Sequence, residues 1–264
     1  MKRKTWFWAL TPVALALSLY GCGNGSDSDL AVDNNAQSCS VVSGTGSAVV
    51  VGSGLPGDPA APEAASGYRL GYKAKQSSNY MVVANTPLAT KAGCDVLKAG
   101  GTAVDAAVAV QAVLGLVEPQ SSTIAGSAFM MYYDAANKKV VAYDGRETAP
   151  AAATGYYLAR QDQSNASSPA PVPSARRSGR SIGVPGVMRM LDMAHKEHGK
   201  LAWAPLFDEG IRLASSGYKI PGRMGDAIRT NAANLQLDAN AVAAYFNADG
   251  TPKTTGTVTT NLPY

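Results

Sequence analysis

Asp144-Gly145-Arg146-Glu147 gathers three charges into four residues of a chain in which only 16% of residues are charged. The group directly follows an apolar, strand-like run, so its side chains stand where a sheet ends and a loop begins. Arg146 carries a permanently charged planar fork that matches a carboxylate, which suits recognition of a ligand carboxylate at a strand end. The same residues also suit a surface or interdomain salt bridge of Arg146 with Glu147 or Asp144, and residue chemistry alone leaves both readings open. Glu147 is the weaker candidate, a residue that orients Arg146.

Other constellations are less persuasive. Asp192, His195 and His198 recur every three residues along a helix, and zinc could be imagined there. The segment runs into Gly199-Lys200, however, and reads as a solvated helix end whose histidines favour the helix dipole. These are the only two histidines of the chain, so no metal site is expected. Gly52 to Gly57 fits a dinucleotide-binding glycine pattern, but Pro56, Pro59 and Pro62 forbid the helix that must receive the pyrophosphate. Ser127 lacks the G-x-S-x-G setting of a serine-hydrolase nucleophile. Arg176, Arg177 and Arg180 read as a solvated basic loop. Asn165-Ala166-Ser167 is a formal glycosylation sequon. Of the three cysteines, Cys39 falls in a polar stretch and Cys94 in an apolar helix, and they are expected to stay unpaired.

The chain has 264 residues, 46% of them hydrophobic, and a formal charge of +4, enough for a real core and too weakly basic for a nucleic-acid face. A mean hydropathy of -0.06 excludes a polytopic membrane protein. Residues 80–84 form a strand candidate. A first helix is predicted over 87–97, stopped by Gly100-Gly101. Thr102 caps a second helix, 103–117, with Asp105 completing a capping box. That helix is Ala, Val and Leu on every side, which marks it as buried. A hairpin follows over 128–133 and 139–143, turned by Asp134 to Asn137. After a Pro-rich excursion (164–180), helices are predicted from Val187 to about His195 and over 205–215, the latter ending at Gly217. There are no internal repeats, and the order of elements is α/β or α+β.

Residues 1–22 read as an export signal. Lys2, Arg3 and Lys4 precede an apolar run, 6–19, that is shorter than the roughly 20 residues needed to span a bilayer. The run ends in Leu19-Tyr20-Gly21-Cys22, which resembles a bacterial lipobox with Cys22 as the lipidated residue. Gly23 after it gives no inner-membrane retention signal. The expectation is a lipoprotein of a Gram-negative envelope, anchored in the outer membrane and facing the periplasm. Residues 23–67 are rich in Gly, Ser, Ala and Pro and read as a flexible tether. The folded domain is expected over 68–264.

The stretch Leu97-Lys98-Ala99-Gly100-Gly101-Thr102-Ala103-Val104-Asp105-Ala106-Ala107-Val108-Ala109 resembles the LKAGGNAVDAAVA signature of gamma-glutamyltranspeptidases. Glu118-Pro119-Gln120-Ser121-Ser122, Phe129 to Asp134, Arg146-Glu147-Thr148-Ala149-Pro150 and Gly183-Val184-Pro185-Gly186 follow in the family's order and spacing. The resemblance implies an Ntn-hydrolase αββα sandwich of the α+β class. It also implies a proenzyme that cuts itself into two subunits, exposing an N-terminal threonine nucleophile with its own amine as base. That threonine would take the gamma-glutamyl group of glutathione and pass it to water or an amino acid, without a cofactor. Arg146 occupies the position of the family's arginine for the glutamyl α-carboxylate.

Two departures accompany the resemblance. A glycine-rich G-I-G-G-G-x-F in the family is here Thr123-Ile124-Ala125-Gly126-Ser127-Ala128-Phe129. The side chains of Thr123, Ala125 and Ser127 make any conformation with positive φ less accessible. They point to an altered substrate, as in a cephalosporin-acylase-like or poly-gamma-glutamate-processing relative. Secondly, family members run to about twice this length. The chain is expected to be an N-terminal fragment whose partners are the remaining half and the small subunit. Thr251, Thr254, Thr255, Thr257, Thr259 and Thr260 lack the processing context, so no catalytic residue is expected in this chain and no activity from it alone. A catalytically inactive lipoprotein remnant is the non-enzymatic alternative.

Overall fold

The computed structural model describes residues 77–264 together with Cys39 and two short strands, β1 (Val42–Ser43) and β2 (Ser47–Ala48), which pair antiparallel. The export signal, Cys22 and most of the expected tether lie outside the described residues. No helix among the described residues is long and apolar enough to cross a membrane.

Helix α1 (Pro87–Lys98) starts where Thr86 Oγ1 accepts the Ala89 amide at 3.2 Å, and Pro87 occupies the first turn, where its missing N–H costs nothing. Helix α2 (Ala103–Val117) carries the expected capping box: Thr102 Oγ1 takes the Asp105 amide, and the Asp105 carboxylate takes the Thr102 amide at 2.7 Å. Its all-round apolar surface has a concrete cause, because α2 serves two cores. One face, with Ala109, Val113, Leu116 and Val117, packs with Ala89 and Ala92 of α1, with Leu213 of α4 (Asp208–Ser216) and with Met224 and Ile228 of α5 (Gly222–Leu235). The other, with Val104 and Val108, packs with Tyr143 and with Val187, Met190 and Leu191 of α3 (Val187–His198).

Strands β3 (Phe129–Asp134) and β4 (Lys139–Asp144) form an antiparallel hairpin in the register Phe129↔Asp144 to Asp134↔Lys139. The Asp134 carboxylate closes the turn by accepting the Ala136 and Asn137 amides, and Lys138 takes the left-handed conformation that a tight turn needs. One face, with Met130, Tyr132, Val141 and Tyr143, enters the second core. The other leaves Phe129, Met131, Tyr133 and Val140 exposed. Strand β5 (Tyr218–Lys219) pairs with β6 (Val258–Thr259), and α6 (Ala239–Tyr245) precedes that return. The architecture is α+β, with three two-stranded antiparallel sheets among the described residues.

Four expectations need correction. Residues 80–84 keep strand-like alternation, with Met81 and Val83 outward, but pair with no strand among the described residues. The Ala84 amide instead donates to Thr90 Oγ1 at 3.2 Å. Cys39 and Cys94 are joined in a disulfide, because the fold brings their Cα atoms to 5.5 Å across 55 residues of sequence. The last turn of α3 exposes Lys196 and Glu197, but its two histidines are engaged by the protein. His195 Nε2 lies 2.9 Å from the Leu201 carbonyl and 3.3 Å from Asp105 Oδ1, while His198 stacks on Tyr132 with ring centroids 4.1 Å apart. Asp192 pairs with Lys196, so the three side chains have separate partners. Arg180 is not a free loop charge either, since it donates to the carbonyls of Tyr157, Arg160 and Gln161.

Candidate functional site

The end of β4 is held by the backbone of its neighbours. The Gly145 amide donates to the Ala128 carbonyl at 3.0 Å, and the Gly126 carbonyl takes the amides of Gly186 and Val187 at 3.0 and 3.1 Å. The 123–128 loop, the strand end and the start of α3 therefore interlock. Close approach explains the glycine at 186: a Cβ there would stand 2.1 Å from the Gly145 carbonyl oxygen.

This interlock frames an open cleft of about 430 Å³ lined by β4 and the residues after it, by Val184-Pro185-Gly186 and by Arg189, Met190 and Met193 of α3. Arg146 and Glu147 both line it. The Arg146 amide donates to Asp144 Oδ1 at 2.9 Å, which tucks the strand end into a turn and leaves 51% of the arginine side chain exposed. Its Nε lies 3.2 Å from Glu147 Oε2 and its Nη2 donates to Glu147 Oε1 at 3.4 Å. Arg146 is thus a cleft residue that is also the salt-bridge partner of Glu147. Asp144 serves the backbone of Arg146 rather than its guanidinium.

Ser127 Oγ donates to Glu147 Oε2 across twenty residues of sequence. That hydrogen bond first, a bond from the Glu147 amide next and the Arg146 charge last hold the Glu147 carboxyl below the usual carboxylate range. The site can therefore present a guanidinium already flanked by an ionised carboxylate, suited to an anionic group arriving from the cleft. Arg189, a second guanidinium on the cleft wall, was not foreseen, since an isolated arginine on a helix carries no signal until the fold places it. Thr123, Ala125 and Ser127 sit in this framework without backbone strain. Among the described residues, the only ones other than glycine with positive φ are Cys39 and Lys138. No group of three or more His, Cys, Asp or Glu side chains among the described residues is placed to hold a metal ion.

The gamma-glutamyltranspeptidase family profile matches residues 89–264. Glutathione hydrolase 3 of Arabidopsis thaliana is 36% identical over 182 residues, which cover 69% of this chain and 27% of that protein. The gamma-glutamyltranspeptidase of Helicobacter pylori superimposes with a TM-score of 0.64 at 27% identity, covering 72% of this chain and 52% of that one. A cephalosporin acylase from Bacillus halodurans follows at a TM-score of 0.53 and 25% identity, covering 66% of this chain and 32% of that one. The chain thus spans about a quarter of the length of the Arabidopsis relative, and its fold is part of the Ntn-hydrolase architecture. With its profile matched over two thirds of its length, the chain belongs to the gamma-glutamyltranspeptidase family.

Proposed function

We propose that this chain forms the N-terminal part of the large subunit of an exported gamma-glutamyltransferase or glutathione hydrolase, and that Arg146 binds the α-carboxylate of the gamma-glutamyl group. The observation that carries the reading is the half-exposed Arg146 fork at the end of β4, braced by Glu147 on the wall of a cleft. A carboxylate on that fork would anchor the substrate at one end and leave the gamma-carbonyl free for attack. In this reading the attacking group is an N-terminal threonine created by self-cleavage in family sequence outside these 264 residues, and the acyl group passes to water or an amino acid. The outward apolar face of β3–β4, with Phe129, Met131, Tyr133 and Val140, supports a further packed layer supplied by the rest of the large subunit and the small subunit.

The test is charge reversal in the full-length protein. Arg146→Glu should raise KM for glutathione and for gamma-glutamyl-p-nitroanilide at least about a hundredfold, as expected when a carboxylate meets a like charge. An unchanged KM would contradict the assignment. Self-cleavage is checked on a denaturing gel, which should show two polypeptides from one gene.

Export and lipidation at Cys22 belong to the same proposal. The Cys39–Cys94 disulfide supports them, because such bonds persist in oxidising compartments and are rare in a reducing cytosol. Labelled palmitate should enter the protein and be lost in Cys22→Ala. The alternative of an acylase acting on a different amide draws on the cephalosporin acylase likeness and on Thr123, Ala125 and Ser127 beside the site. A cephalosporin side chain turned over faster than glutathione would favour it.

A further inference from the structure

We propose that Ser127 is a positioning residue for the substrate-binding arginine: its hydroxyl fixes the Glu147 carboxylate, which in turn fixes the Arg146 fork in the cleft. The inference rests on the reading of Arg146 as the carboxylate contact and deepens it.

Three observations meet at Glu147. Its Oε2 accepts the Ser127 hydroxyl and also faces Arg146 Nε at 3.2 Å, while its Oε1 accepts Arg146 Nη2 at 3.4 Å. Its aliphatic stem is confined by Gly183, where an added Cβ would fall 2.4 Å from Glu147 Cγ. Ser127 itself is held in place by the interlock that joins Gly126 to Gly186 and Val187, and Ala128 to Gly145. The carboxylate is therefore pinned by a directional donor on one side and by backbone on another.

The geometry also shows which part of the arginine is left for a ligand. Glu147 occupies the Nε–Nη2 edge of the guanidinium. The Nη1–Nη2 edge has no protein partner among the described residues and can take a second carboxylate in the bidentate manner. An arginine half exposed on a strand end would otherwise sample many rotamers and lose that freedom on binding. The Ser127–Glu147 pair removes part of that loss before the substrate arrives. A residue with no hydroxyl at 127 would leave Glu147 freer, and Arg146 with it.

The experiment uses the full-length enzyme carrying Ser127→Ala or Ser127→Thr, with Arg146→Ala as reference and gamma-glutamyl-p-nitroanilide as substrate. Ser127→Ala should raise KM about three- to tenfold, the size of one lost hydrogen bond, with kcat within about twofold. Ser127→Thr, which keeps the hydroxyl, should restore KM. The carbon-13 titration of the Glu147 carboxyl should move its midpoint upward in Ser127→Ala, toward the ordinary carboxylate range, and not in Ser127→Thr. An unchanged KM in Ser127→Ala beside a crippled Arg146→Ala would overturn this proposal alone. So would an unmoved Glu147 midpoint, or a Ser127→Thr enzyme as impaired as Ser127→Ala. If Arg146→Ala itself leaves KM unchanged, the reading of the site fails instead.

Discussion

Asp105 has no solvent exposure, yet its carboxylate is fully engaged. It takes the Thr102 amide and hydroxyl at the start of α2, the Lys200 amide at 3.0 Å and the Leu201 amide at 3.3 Å, and it faces His195 Nε2. One side chain thus ties the start of α2 to the loop that follows α3. Asp105→Asn turns one arm into a donor facing N–H groups and should cost about 2–4 kcal/mol, read as a lower urea midpoint. Half of this was legible in the sequence: the capping box follows from Thr102 and Asp105 three residues apart. The contacts to residues 200 and 201 were not, because they depend on how α3 lies against α2. The Arg146–Glu147 pair was legible for a similar reason, as charges concentrated at a strand end. Ser127, by contrast, is one serine among many until the loop and the strand end interlock.

Glu118 closes α2 as a buried ion. Its carboxylate accepts Gln120 Nε2 at 2.8 Å and Ser121 Oγ at 3.1 Å, and lies 3.1 Å from Arg223 Nη1 of α5. Arg223→Met removes one charged partner of the buried Glu118 carboxylate and should lower stability by about 2–3 kcal/mol, the remaining partners moderating the loss. Urea denaturation checks it, and a change under about 0.5 kcal/mol would show that the pair holds nothing together. Helices α1 to α4 were legible through caps, glycine stops and apolar periodicity. Helix α5 was not, because its buried face uses Gly222 and Gly225 beside Met224 and Ile228, so its apolar stripe is faint in the sequence. The 80–84 segment failed in the opposite way: its alternation is real, but a strand needs a partner, which sequence alternation cannot guarantee.

Two features act on the whole molecule. The Cys39–Cys94 bond closes a span of 55 residues, and loop-closure entropy gives it a stabilising effect of about 2–4 kcal/mol. Cys94→Ser should lower the melting temperature accordingly, and reducing agent should have the same effect on the wild type but none on the variant. Neither cysteine advertised the pairing, since it follows from tertiary proximity alone. Tyrosines set an alkaline limit. Burial and then the Glu197 carboxylate, which accepts the Tyr143 hydroxyl at 2.5 Å, push Tyr143 up to about 12. Burial does the same to Tyr264, whose hydroxyl donates to the Ala112 carbonyl at 2.6 Å. Both hold their protons more tightly folded than unfolded, where tyrosine titrates near 10. Their contribution is complete below pH of about 10 and is lost as pH rises through about 12. Tyr143→Phe should flatten that alkaline decline; an equally steep decline would remove Tyr143 from the account.

Arg146 is proposed as the carboxylate contact of a gamma-glutamyl site. The most direct measurement is a crystal structure of the full-length protein with L-glutamate bound. The α-carboxylate should pair with the Nη1–Nη2 edge of Arg146 at about 2.7–2.9 Å, with Glu147 still on the Nε–Nη2 edge and Ser127 still on Glu147. Glutamate seated away from Arg146, or bound with its α-carboxylate on another cation, would contradict it.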